Sequence, residues 1–238
     1  VARPDSAAVR AALKPHARPE KAAGMQAYLK SSMPCLGVQV PVARKVAKAL
    51  CSQSFKSLEA LSTHVLRLWN GAQFREERFV ALNVLRLKVH RPWLTAKAAP
   101  LLETLIRSGA WWDLVDELSA HVVAAALEND PAGMTRVVRR WAASGELWLQ
   151  RAALVCQVLR HEDTDLDLLA FAIEHALDGK DFFLRKGIGW AMRAVGAEQP
   201  AVVRAWLRRW DGRLSGLSVR EASKALSRPP RTPSKRTA

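Results

Sequence analysis

A repeat constrains the fold of this chain more than any other feature. Apolar residues recur at intervals of three and four rather than two, Ala and Leu dominate, and strand-like alternation is nearly absent, so the chain reads as all-α. Helices are expected over about 6–14, 20–31, 41–51, 57–69, 74–89, 94–108, 111–128, 131–143, 147–161, 165–177, 182–195, 200–210 and 218–227. Short separators such as Asn70-Gly71, Arg91-Pro92, Asp178-Gly179 and Asp211-Gly212 divide them. Aligning the second helix of each pair puts Arg44, Arg78, Asp116, Arg151, Lys186 and Arg220 in one column, at intervals of 34, 38, 35, 35 and 34 residues. Four residues earlier stand Val40, Phe74, Trp112, Leu147, Phe182 and Gly216, which are mostly apolar. Such a period belongs to an α-solenoid, in which each helix pair buries its face only against its neighbours. One domain over 1–226 is expected, followed by a basic, disordered tail at 227–238.

The balance of charge narrows the partner. Thirty-seven Lys and Arg against 22 Asp and Glu give a formal net charge of +15, which points to a polyanion and to nucleic acid before membrane. Three cysteines, Cys35, Cys51 and Cys156, are too few and too widely spaced for a disulfide framework or a CxxC motif, so a reducing cytoplasm is the expected compartment. No signal-peptide stretch opens the chain, and no run approaches the roughly 18 apolar residues of a membrane span. The six His are scattered and no HExxH or Walker motif occurs, so neither a metal nor a cofactor is expected. Gly187-Ile188-Gly189 sits inside a helix pattern and lacks the strand and third glycine of a dinucleotide fingerprint.

The column admits two readings. A charged position can serve hydrogen bonding between repeats. Alternatively, stacked helices about 8–10 Å apart would line the basic residues along a concave groove, as a stripe that tracks a phosphate backbone. Asp116 would interrupt that stripe, and a lone carboxylate beside phosphates is unfavourable unless it meets a cation or does chemistry. Aromatics gather around it. Trp112 is four residues before Asp116, on the same helix face; Trp111 is adjacent, Trp148 precedes Arg151, and Trp190 follows Lys186 by four.

At these residues the sequence resembles the HEAT-like-repeat DNA glycosylases of the AlkD type, which remove alkylated purines from DNA. The carriers are MQAYLKSSMPCLGVQVPVAR at 25–44, SGAWWDLVDELS at 108–119, LWLQRAAL at 147–154 and DFFLRKGIGWAMR at 181–193; the second and fourth are the specific ones. The resemblance, running from about Glu20 to Leu226, implies that Trp112, Asp116, Arg151 and Trp190 are active-site residues. Tyr28 and Gln39 would line the same cleft, with Arg44, Arg78, Lys186 and Arg193 on DNA. It further implies a monomer acting on double-stranded DNA with alkylated bases, in the bacterial cytoplasm and on the nucleoid when bound.

The chemistry of the residues fits that picture. Alkylation at N3 or N7 makes a purine cationic and a good leaving group, so the burden falls on the oxocarbenium-like sugar. A carboxylate held against it gives electrostatic stabilisation, and Asp116 suits that role. Indole faces attract cations, which makes Trp112 and Trp190 credible walls, and Arg151 is expected to hold a phosphate beside the lesion while balancing Asp116. Trp112 and Trp190 stand two repeats apart, about 20 Å by helix spacing, so a cleft between them needs curvature. The solenoid offers no obvious deep pocket for a flipped base, and the resemblance implies action without enclosing it. No counterpart of a helix-hairpin-helix lysine nucleophile is found, so base release without strand cleavage is expected. A HEAT-repeat protein that grips DNA or branched junctions without chemistry is the alternative.

Overall fold

The computed structural model describes residues 3–227. Within them the chain forms fourteen α-helices and no strand. They are α1 (Ser6–Leu13), α2 (Pro19–Leu29), α3 (Val40–Cys51), α4 (Leu58–Asn70), α5 (Arg75–Arg86), α6 (Ala99–Gly109), α7 (Trp112–Leu118), α8 (Ala124–Asn129), α9 (Pro131–Ala142), α10 (Leu147–Val155), α11 (Leu166–Ala176), α12 (Phe182–Gly196), α13 (Pro200–Arg209) and α14 (Gly216–Leu226). The basic stretch at 227–238 lies, apart from Ser227, outside the described residues.

Local chemistry sets most helix starts. The side chains of Asp5, Ser57, Asp130, Asp165, Asp181 and Ser215 each accept a hydrogen bond from a backbone N–H in the first turn of α1, α4, α9, α11, α12 and α14. Pro19, Pro131 and Pro200 occupy first-turn positions, where the missing N–H costs nothing.

Three expected helices end or begin elsewhere. The one expected over 74–89 stops at Arg86, because Leu87 is extended and a 3-10 stretch at Lys88–Trp93 takes up Pro92. The next begins only at Ala99, after a second 3-10 turn at Ala96–Ala98. The one expected to 161 stops at Val155. There the Gln157 side chain donates to the Asp165 carbonyl (3.1 Å) and accepts from the Asp165 N–H (2.8 Å), pinning the loop to the start of α11. The stretch expected as one helix over 111–128 is continuous but contains a π-helical turn, Ser119–Val123, between α7 and α8.

The chain divides into two compact units at Leu102 and Glu103, with α6 running across the division. In the first unit α3 and α4 pack on α5, and α1 packs on both α3 and α5. In the second unit the packing is that of an α-solenoid. Consecutive helices from α9 to α14 touch, while α9 also packs on α11, and α7, α10, α12 and α14 stack in turn. Trp141 and Trp210 are fully buried in this unit, together with Leu154 and Met192. Charged pairs tie like positions of successive repeats: Arg209 to Glu174 at 3.1 Å and Arg213 to Asp178 at 3.3 Å, each 35 residues apart. No described helix is long and apolar enough to cross a membrane. All three cysteines are buried, and burial pushes the Cys51 thiol up to about 11 and Cys156 to about 12, so both stay protonated.

Candidate active site

Asp116 stands on α7, one turn before the π-helical segment. Its neighbour across the repeat is Arg151 on α10, 35 residues on, and the two form a fork-to-fork pair: Nε to Oδ1 at 2.8 Å and Nη2 to Oδ2 at 2.7 Å. The third guanidinium nitrogen, Nη1, donates to the backbone carbonyl of Phe183 at the start of α12, at 2.6 Å. Three successive repeats therefore meet at one arginine. The Arg151 side chain is only 4% exposed and Asp116 is 15% exposed, so the acid is the member that reaches the surface. Burial pushes the Asp116 carboxyl above the ordinary aspartate value, the Arg151 hydrogen bonds and charge pull against that rise, and nearby Asp113 adds to it.

The pair is walled by rings. Trp111, Trp148 and Phe183 make a three-membered cluster with centroid separations of 6.0, 5.1 and 5.1 Å, and the Arg151 guanidinium carbon lies 5.8 Å from the Phe183 centroid. Gly187 lies one turn beyond Phe183; a Cβ there would sit 3.4 Å from Arg151 Nη1, in ordinary van der Waals contact. The Ser119 hydroxyl, fully buried at the start of the π-helical turn, donates to the Val115 carbonyl of α7 at 2.6 Å. Such turns are frequent at functional sites.

Trp112 opens α7 on the face of Asp116 and is half-buried. Trp190, also half-buried, stands three residues after Gly187 and seven after Phe183, on the stripe of α12 that Arg151 approaches. Lys186 and Arg193 flank Trp190 on the same helix. Both are bound to Glu221 of α14, Lys186 Nζ at 2.7 Å and Arg193 Nη1 at 2.8 Å.

A family model described as DNA alkylation repair enzyme matches residues 9–226. The chain belongs to this family. It is also similar to the solved structure of a predicted DNA alkylation repair enzyme from Enterococcus faecalis, at 25% identity and a TM-score of 0.78, covering 90% of this chain and 98% of that one. Comparison with curated proteins returns no significant match.

In this member of the DNA alkylation repair enzyme family, the column of charges is less a stripe than a set of separate environments. Arg151, expected on a phosphate, has each of its three nitrogens bound inside the protein. Arg220, placed in the column, is exposed. It is the adjacent Glu221, 4% exposed, that Lys186 meets, so the register of the last repeat is off by one. Counting by 35 from Asp116 gives 151, 186 and 221, and that regular step is the signal in the sequence that leads to Glu221. In the first unit Arg44 is exposed on α3, while Arg78 lays its guanidinium 4.6 Å from the Trp69 ring centroid. Tyr28, at the end of α2, is 74% exposed. Gln39, just before α3, borders a cleft of about 200 Å³ with Pro15, His16, Ala17, Arg18 and Val42.

Two supporting residues escaped sequence reasoning. Phe183 supplies the carbonyl and ring that hold Arg151, a role invisible without tertiary contacts. Glu76, buried on α5, accepts from the Leu36 and Val38 N–H groups at 2.9 to 3.0 Å and fixes the segment leading to Gln39. No group of three or more potential metal ligands occurs among the described residues.

Proposed function

We propose that the protein is a monofunctional DNA glycosylase of the AlkD type, hydrolysing the N-glycosidic bond of N3- and N7-alkylated purines in duplex DNA. The observation that carries this reading is the Asp116–Arg151 pair: a desolvated carboxylate gripped at both oxygens, with an indole one turn away on its own helix and a second on the neighbouring stripe of α12. The alkylated purine leaves as the C1′–N bond breaks, taking the bonding electrons and losing its formal charge. The positive charge passes to the sugar. Asp116, fixed before reaction rather than reorganised during it, stabilises that cation; a prepositioned group of this kind is worth about 3–4 kcal/mol. Water then adds to C1′, and the proton it loses goes to the carboxylate or to solvent. The products are the free base and an abasic site. Trp112 and Trp190 face the sugar and the cationic base, a contact worth about 0.5–2 kcal/mol each. Arg151 acts through Asp116, as a positioning residue.

A second reading, a DNA- or junction-binding protein without chemistry, draws on Lys186 and Glu221. They pair over the same 35-residue step, so an ion pair in this solenoid can be a structural rung alone. Incubation with duplex DNA carrying 7-methylguanine separates the two. The glycosylase reading expects free 7-methylguanine and alkali-labile abasic sites with no strand break before alkali. Tight duplex binding without base release would favour the second reading.

A further inference from the structure

The environment of Glu221 is not used by the chemistry above. Its carboxylate is 5% exposed, yet three cations converge on it: Lys186 Nζ and Lys224 Nζ on Oε1 at 2.7 and 2.5 Å, and Arg193 Nη1 on Oε2 at 2.8 Å. Lys186 and Arg193 come from α12 and are seven residues apart, about 10.5 Å along the axis, so nothing local would bring their heads together. Glu221 does so from α14. The two helices can approach because residue 189 is glycine: a Cβ there would lie 2.5 Å from the Glu221 Cβ and 3.0 Å from the Ser218 carbonyl oxygen. The Gly187-Ile188-Gly189 sequence, which makes no nucleotide loop, thus has a packing role through Gly189.

The charge balance of this cluster is positive. One buried carboxylate stands under three cationic side chains that are 37, 37 and 54% exposed, leaving two net charges at the surface. Each cation spends one donor on Glu221, so a lysine keeps two and the arginine four. The three heads meet at Glu221, and Trp190 lies between Lys186 and Arg193 along α12. The carboxylate itself remains ionised, since the surrounding lysines hold it down at about 2.

The geometry points to a preorganised phosphodiester site: Glu221 gathers Lys186, Arg193 and Lys224 to hold one backbone phosphate of duplex DNA next to the nucleotide at Trp190. Lys224 is the DNA-contacting member that the sequence pattern did not contain, and Glu221 is a positioning residue. The inference rests on the DNA repair reading above.

The test is the salt dependence of binding to an undamaged 20-base-pair duplex by fluorescence anisotropy, with the full chain. Lys224→Ala and Arg193→Ala are compared with Lys97→Ala, which removes an exposed lysine far from this cluster in sequence. A protein that neutralises one phosphate fewer loses about 0.9 from the slope of log K on log salt. Between 50 and 200 mM salt its affinity therefore falls about 3-fold less than that of the wild type. The site predicts a slope lowered by up to that amount for Lys224→Ala and for Arg193→Ala, since two cations remain on the phosphate in each, with Lys97→Ala keeping the wild-type slope and Lys224→Arg restoring it. Wild-type binding with the slope unchanged in Lys224→Ala and Arg193→Ala overturns the site and leaves the repair reading standing. A wild type that does not bind duplex DNA overturns both.

Discussion

Replacing Arg151 by Ala removes more from this protein than a positive charge. The side chain makes two charge-assisted bonds to Asp116, at 2.8 and 2.7 Å, and a third to the Phe183 carbonyl at 2.6 Å, and it is almost wholly buried. The variant keeps a desolvated carboxylate with nothing opposite it, and breaking a buried pair in this way costs about 3–5 kcal/mol. For a urea dependence of about 3 kcal/mol/M, that lowers the unfolding midpoint by at least about 1 M. The pH dependence gives an independent sign. With Arg151 gone, only burial and Asp113 act on Asp116, and both push its carboxyl further above the ordinary value. An acid whose folded pKa exceeds its unfolded one binds more protons when folded. The penalty is therefore present above the folded pKa and is relieved as pH falls through it. The deficit of Arg151→Ala measured by urea unfolding should shrink as pH falls from neutral through the raised pKa of Asp116. Because the guanidinium is turned inward, the salt slope of duplex binding should stay that of the wild type. A loss below 1 kcal/mol at pH 7 that does not change with pH would refute the buried-pair reasoning.

Further expectations follow from the same contacts. Gly189→Ala drives a Cβ into Glu221 and the Ser218 carbonyl, and should cost about 1–3 kcal/mol by thermal or urea unfolding. The acid limb of base release should lie above that of an ordinary aspartate, since burial raises the Asp116 carboxyl and its ionised form is the active one; a pH–rate profile on 7-methylguanine DNA checks this. Glu221, held down to about 2 by its cations, contributes stability that is full above its unfolded value of 4.5 and is lost as pH falls toward 2. Glu221→Gln should flatten acid unfolding over that window.

How much of this could be read from the sequence depended on how local the cause was. Asp130, Asp165 and Asp181 announce helix starts because a capping side chain acts within three residues. The π-helical turn at Ser119–Val123 has no glycine or proline to mark it. The end of α10 is set by Gln157 reaching Asp165, a contact that periodicity does not encode. The same division holds at the site. Asp116 and Arg151 were visible as a column because the repeat length is nearly constant. What a charge in that column does was only partly visible, since it depends on its neighbour one repeat away. Arg151 was expected both to balance Asp116 and to hold a phosphate; it pairs with Asp116 through two nitrogens, and its third is bound to the Phe183 carbonyl. Arg220 looked like the last rung, but the side chain that turns inward is Glu221, because one residue along a helix is a rotation of about 100°.

The central claim, that the Asp116 carboxylate stabilises the sugar cation, is tested most directly by single-turnover release of 7-methylguanine from duplex DNA by wild type and Asp116→Asn. The substitution keeps the shape of the side chain and removes its charge. The account predicts a rate lower by about a hundredfold or more, with duplex affinity retained. An Asp116→Asn protein that releases the base as fast as the wild type would contradict it.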